Sequence, residues 1–321
     1  MTNAPTLYTV DYSTLLALER APGQIFLRDH ITGFDKNFRN VCLDHISSIT
    51  KDITHVWWHV ILDPRIHLNY RNLRFHGCDS SAKLWFRHFK DYRHNEVDIS
   101  FQHFVSCFNG SPQIGRQLLA AALHKRNMFS PEVCSKNFVI DPNVLDAQIC
   151  SLVENKEDIN LYLKLVSFDK DFLNASQSFG YDRYRYDHGN NVYNLKPVLT
   201  SSFVNLVSEG YSVSYYPFFT EKFLYAVACQ SLFLAWAQPQ WHWQLSQVWG
   251  FKLYSKIFCY DFDWVECPLT RLTNLLDMLG RYQNFSQHDW HDLYLSQREE
   301  IMFNYHHLIS GDYIKSFQQH A

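Results

Sequence analysis

The stretch Phe101-Gln-His-Phe-Val-Ser-Cys-Phe-Asn109-Gly-Ser-Pro-Gln-Ile-Gly-Arg116 decides how this chain is read. Phe101 to Phe108 is short and largely apolar, which predicts a buried strand. Asn109-Gly110-Ser111-Pro112 reads as a turn. Gln113 to Arg126 then predicts a helix. Ser111 suits its N-cap and Pro112 its first helical position. Ile114, Leu118, Ala121 and Ala122 fall on one face. A strand, a tight turn and a helix in that order is the repeating unit of a parallel sheet.

The alternation continues outward. Asp141-Pro142 opens a helix running to about Glu154 by the same cap logic. Phe203 to Val207 predicts a strand. Thr220 can cap a helix from Glu221 to about Cys229, and Leu232 to Trp236 predicts the next strand. Pro239 to Val248 reads as a short helix ended by Gly250. Phe251 to Tyr254 and Ile257 to Tyr260 read as short strands. Pro268 opens a helix with Leu269, Leu272, Leu275, Leu276 and Leu279 at helical spacing, and a last helix is expected from about Ser286 to His307. Upstream, residues 40–50 suit a short helix. Val56 to Leu62 suits a buried strand ended by Asp63-Pro64, and Leu73 to His76 a strand stopped by Gly77. Strands alternating with helices indicate an α/β fold with parallel sheets covered on both faces.

With 321 residues, two domains are favoured over one, because single cores stop growing at roughly 250–300 residues. A net charge of -3 argues against a protein held to nucleic acid by a general positive field. The 8 cysteines include no CxxC pair, and most lie in apolar runs. They read as small core residues in a reducing compartment, not as a disulfide frame or a zinc site. Met1-Thr-Asn-Ala-Pro-Thr has no basic segment followed by an apolar one, so no signal peptide is expected. The run from Phe223 to Ala237 is too short to span a membrane. The expected location is cytoplasmic.

Ligands of open α/β sheets bind beyond the carboxyl ends of the strands, where helix starts offer free N–H groups to phosphates. Two turns fit. In Asn109 to Arg116, Gly110 permits close backbone approach and Arg116 has the reach to grip a diphosphate. In Pro217-Phe218-Phe219-Thr220-Glu221-Lys222, a hydroxyl, a carboxylate and an amine stand at a helix start. The carboxylate suits ribose or sugar hydroxyls, and the lysine suits phosphate charge as a glycosidic bond breaks. A capped turn with a surface arginine, or ordinary first-turn helix electrostatics, accounts for each turn taken alone.

Together these motifs resemble a known family. Phe203-Val-Asn-Leu-Val-Ser-Glu209 followed by Phe219-Thr-Glu-Lys222, with Val105-Ser-Cys-Phe-Asn109 and Arg116 upstream, is similar to the donor domain of α1,3-fucosyltransferases. Asn109, Pro112 and Arg116, a Leu-rich helix, the Phe-Thr-Glu-Lys segment and a later Gly250-Phe251-Lys252 also resemble a group of phage and bacterial glycosyltransferases. The resemblance covers roughly residues 101–280. It implies a GT-B-like α/β fold of two Rossmann-like lobes with a cleft between them. The lobes would be residues 1–100 (acceptor) and 101–285 (donor), with 286–321 a C-terminal helix packing across both. It implies a metal-independent glycosyltransferase, a hexosyl- or pentosyl-transferase, without a cofactor. The donor would be a GDP- or UDP-linked sugar, and the acceptor a glycan or, in a phage setting, a hydroxymethylated DNA base. Asn109, Ser111, Arg116, Thr220, Glu221, Lys222 and Tyr225 would line the donor site, with Glu209 and Glu221 beside the reacting sugar. Tyr225 replaces a Lys or Arg that often follows the motif, and Gly115 replaces a His, which points to a donor other than GDP-fucose.

Acceptor contacts are expected from Asp63, His76, Tyr184 and Arg185, the last two in the basic and aromatic run Tyr181 to Tyr186. Asp63, Asp79, Glu96, His59 and His76 are candidates to deprotonate the acceptor hydroxyl. His55 and His59 have helical metal-ligand spacing in a segment that favours a strand, and His288 to Asp292 suits a solvated helix face. Trp236, Trp241, Trp243 and Trp249 suit either core packing or a stacking platform. The rival expectation is a non-catalytic glycan- or nucleic-acid-binding protein that retains the fold.

Overall fold

Parallel pairing of short apolar segments organises the chain into two four-stranded sheets. This is seen in a computed structural model, described here over residues 8–10, 18–19, 24–27, 44–58, 70–77, 87, 89–90, 92, 99–152, 156–166, 169–176, 188–209 and 219–320.

The first sheet comprises β1 (Tyr8–Val10), β2 (Gln24–Leu27), β3 (Thr54–Trp58) and β4 (Leu73–Gly77), in that order. All its pairs are parallel, with Ile25 opposite Val56 and Val56 opposite Phe75. Residues 44–49 are helical and bury Ile46. Ser47 and Asn72 tie this helix to the turn before β4. The Ser47 hydroxyl donates to Asn72 Oδ1 at 2.7 Å, and Asn72 Nδ2 donates to the Ser47 carbonyl at 2.7 Å.

The second sheet holds β5 (His103–Asn109), β6 (Cys134–Lys136), β7 (Ser202–Ser208) and β8 (Phe233–Trp236). Its order is β6-β5-β7-β8 and every pair is parallel. Every residue of β7 is buried, as a central strand between two helical layers requires. Its polar Asn205 is satisfied inside the sheet. Asn205 accepts from Ser106 and donates to the carbonyls of Leu199 and Leu232.

The crossovers set the functional geometry. β5 passes through α1 (Ile114–Lys125) to β6, on one side. Four helices then lead back to the sheet centre: α2 (Pro142–Leu152), α3 (Lys156–Leu165), α4 (Lys170–Asn174) and α5 (His188–Ser201). β7 passes through α6 (Lys222–Ala228) to β8, on the other side. Right-handed crossovers in opposite directions put α1 and α6 on opposite faces. In keeping with this, α1 packs on α2 and α3, and α6 on α5 and a later helix, α10. The strand order therefore reverses between β5 and β7.

The chain closes with α7 (Trp241–Gln247), a 3-10 turn at Asp261–Trp264, α8 (Pro268–Gly280), α9 (Gln287–Ser296), α10 (Arg298–Ser310) and α11 (Asp312–His320). No described helix is long and apolar enough to cross a membrane.

Three expectations change. First, α1 begins at Ile114 with Gln113 as its N-cap, and Ser111 does not cap it. Second, residues 251–260 form no strand. Asn304 takes the partner's place there, its amide donating to the Lys252 carbonyl at 2.9 Å and its oxygen accepting from the Lys252 N–H at 2.7 Å. Third, the single helix expected from Ser286 to His307 is broken at Gln297, and Gly311, at φ +76°, separates α10 from α11. Ser286 does cap the first piece, through a reciprocal bond pair with Asp289. The Asp141 cap of α2 is present, its carboxylate accepting from the N–H groups of Asn143 and Val144.

Candidate functional site

Asn109 ends β5, Ser208 ends β7 and Trp236 ends β8. Ser208 and Trp236 are register partners, and the Glu209 N–H extends the ladder to the Trp236 carbonyl at 3.2 Å. The carboxyl edge of the second sheet thus presents an amide, a hydroxyl, a carboxylate and an indole side by side. All four residues are buried.

Glu209 is fully buried and half satisfied. Its Oε1 accepts from the Thr220 N–H at 3.1 Å and from the Thr220 hydroxyl at 3.2 Å. Its Oε2 accepts no bond from the described residues. Burial pushes its carboxyl up to about 7, against the pull of the Lys222 charge and the Thr220 bonds. Lys222 Nζ lies 3.2 Å from the Thr220 hydroxyl oxygen and 3.6 Å from Glu221 Oε1. Thr220 is therefore a bridge, accepting from lysine and donating to glutamate. Its hydroxyl oxygen also accepts from the Lys222 N–H at 3.4 Å, but the N-cap of α6 is Glu221, not the expected Thr220, and it makes no side-chain capping bond.

Arg116 lies in the first turn of α1 with 8% of its surface exposed. One terminal nitrogen donates to the Ser111 hydroxyl, while Nε has no partner among the described residues. That first turn carries no acidic residue and no side-chain cap. A buried cation at the positive end of a helix is an unfavourable pairing of like fields. An anion seated there relieves it.

Unpartnered atoms gather at this edge. Asn109 Oδ1, Gln113 Oε1, Arg116 Nε, Ser208 Oγ, Glu209 Oε2 and Trp236 Nε1 are all buried without a hydrogen-bond partner among the described residues. Buried polar atoms are nearly always paired, and each orphan costs about 1–3 kcal/mol. Such a concentration at the ends of neighbouring strands, beside the point where the strand order reverses, marks the place where open α/β sheets take ligands. Donors and acceptors are mixed, which suits a ligand carrying both hydroxyls and an anionic group.

The expected residues divide into three groups. Asn109, Ser111, Arg116, Glu209, Thr220, Glu221 and Lys222 all lie on the carboxyl ends of β5 and β7, in the turns that follow them or in the first turn of the next helix. Tyr225 does not join them. It faces the core, 5% exposed, beside the Phe89 ring, and its hydroxyl accepts from Asn191 at 3.3 Å. One turn into the buried α6, its ring packs inward with the rest of that helix. Asp63, His59, Asp79, Glu96, Tyr184 and Arg185 lie outside the described residues, as does the side chain of His76.

Other motifs resolve as structure. Gly250 takes φ +77° and Phe251 is fully buried, so this segment packs against the C-terminal helices rather than forming part of the sheet edge. His55 lies in β3, a strand, and His59 lies outside the described residues. No cluster of metal-ligating side chains occurs among the described residues. His288 pairs with Asp292 on an exposed helix face. Cys107, Cys134 and Cys229 are buried, whereas Cys150 and Cys259 are exposed. Ser208 and Gln113 are missing from the sequence-based site, and Trp236 entered it only as a packing or stacking residue. The only signal for them is position, the last polar residue of a strand or the one before a helix.

Comparison with known proteins finds no matching family, no matching characterised sequence and no matching solved structure.

Proposed function

We propose that this protein is a glycosyltransferase that binds a nucleotide sugar at the carboxyl edge of its second sheet. The observation that carries this reading is the row of unpartnered buried polar atoms at the ends of β5, β7 and β8, flanked by Arg116. Arg116 and Lys222 serve the diphosphate, and their two fixed positive charges stabilise the leaving group without a cation. Glu209 Oε2 and Asn109 Oδ1 accept from ribose or sugar hydroxyls. With a carboxyl near 7, Glu209 is suited to hold or release a proton beside the reacting sugar at neutral pH. Glu221 lies next in line through its contact with Lys222. The first sheet supplies the acceptor lobe, in a two-lobed arrangement of the GT-B kind.

The direct test is incubation of the full chain with GDP- and UDP-linked sugars and a panel of glycans and hydroxymethylated DNA, read by mass spectrometry. A mass increase of one sugar on an acceptor, lost in Arg116→Ala and Lys222→Ala, is the expected result. Failure of every pair to react contradicts it. Tyr225 favours one alternative, a nucleotide or glycan binder without turnover. It occupies the place of a phosphate-contacting Lys or Arg but is turned into the core. That alternative predicts nucleotide binding with no product.

A further inference from the structure

The tryptophans that follow β8 separate into two populations. Trp236 and Trp241 are fully buried and Trp249 is 4% exposed. Trp243 is half-buried and pairs with Trp264, which is 53% exposed, with ring centroids 6.1 Å apart and planes at 60°. The pair packs as tilted aromatics do, and Trp264 keeps about half of its surface open to solvent beside Trp243.

Their backbones are held firmly. The Asp263 carboxylate, 2% exposed, accepts from the His242 N–H at 3.2 Å and the Trp243 N–H at 3.0 Å. It also accepts from His242 Nδ1 at 2.8 Å, and His242 Nε2 in turn accepts from the Ala235 N–H of β8 at 3.0 Å. The ring proton therefore sits on Nδ1. On the other side of Trp264, Arg271 donates to the carbonyls of Val265 and Glu266, and to that of Ala237, just past β8. The indole pair is thereby tied by two side-chain networks to the end of the strand that carries Trp236 in the candidate site. Asp261 and Glu266, both exposed, flank Trp264, and the stretch 261–266 contains no basic residue.

We propose that Trp243 and Trp264 form a stacking platform for a pyranose ring of a neutral saccharide, the acceptor of the transfer. The C–H face of a sugar packs on an indole, and flanking carboxylates accept from its hydroxyls. The same carboxylates repel a phosphodiester chain, which sets a glycan above a nucleic-acid acceptor. Naming the saccharide as acceptor rests on the glycosyl-transfer reading; the binding itself does not.

A neutral-glycan array probed with the full chain tests this, followed by titration of any glycan retained and of a single-stranded DNA 20-mer, with intrinsic tryptophan fluorescence and sedimentation as readouts. Binding of at least one neutral glycan, weakened about tenfold in Trp264→Ala and largely kept in Trp264→Phe, is expected, with nucleotide binding unchanged in both. Retention of no neutral glycan, equal glycan binding in Trp264→Ala, preferred binding of the DNA, or loss only of self-association in that variant each overturns the platform. Glycan binding without any nucleotide binding keeps the platform and overturns the donor site. Nucleotide binding without glycan binding does the reverse.

Discussion

Ser208 and Glu209 are neighbours with opposite consequences for stability. The Ser208 hydroxyl is buried and has no partner among the described residues, so removing it leaves none of them unsatisfied. Ser208→Ala is expected to melt at the same temperature as the parent or above it while binding nucleotide several-fold more weakly. Thermal melting with and without UDP and GDP checks both halves. Glu209 gives a pH signature. Its carboxyl titrates near 4.5 when unfolded and at about 7 when folded, so the folded chain holds the extra proton between those values. Stability contributed at this position therefore falls as pH rises through that window. Glu209→Gln, which cannot ionise, should match the parent at low pH and melt above it at about pH 8. A parent that gains stability relative to the variant on going alkaline contradicts the assignment. Gly250 is a third informative residue. Its φ is +77°, and an added Cβ would stand 2.9 Å from Ser316 Oγ and 3.0 Å from His307 Nε2. Gly250→Ala should cost about 1–3 kcal/mol in denaturant unfolding without changing nucleotide affinity in the folded protein.

At the scale of elements, the segment after β8 is held by polar atoms rather than by a ladder. Asp263 serves two backbone N–H groups and a buried imidazole, close to the buried guanidinium of Arg271. Asp263→Ala removes three acceptor contacts at once and should cost about 3 kcal/mol, read from the urea midpoint. The elements legible in the sequence are those whose signal is local. Pro268 with five leucines at helical spacing announces α8, and the Asp141-Pro142 pair announces α2. Others have no such signal. β6 is three residues long and its Lys136 is buried, its ammonium donating to the carbonyls of Phe138, Leu173 and Ala175. No apolar pattern reveals a strand whose lysine is satisfied by distant carbonyls. Phe251 to Tyr260 looks like strand because its aromatic residues are buried, yet the hydrogen-bond partner comes from Asn304, 52 residues downstream of Lys252. α5 carries Pro197 in its interior, a residue that ordinarily breaks a helix, so it has no sequence signal of its own.

For the molecule as a whole, the strand order is what brings two separate turns to neighbouring strand ends. Arg116 and Lys222 are 106 positions apart (222 − 116), and each follows a strand by an ordinary-looking turn. The order β6-β5-β7-β8 makes those strands neighbours and sends their helices to opposite faces. The residues of the two turns are legible in the sequence, because Gly110, Arg116 and the Thr220 to Lys222 run are local. Their adjacency and the orphaned Trp236 indole are not, because pairing register and burial are properties of the assembled sheet. The proposed site would hold a nucleotide diphosphate between the ends of β5 and β7. Thermal unfolding of the full chain with GDP and UDP, in the parent and in Arg116→Ala, tests it most directly. A ligand at 100 times its dissociation constant adds about 2.7 kcal/mol, and that shift is expected for at least one nucleotide in the parent, with its loss in the variant. No shift with either nucleotide, or the same shift in both proteins, contradicts it.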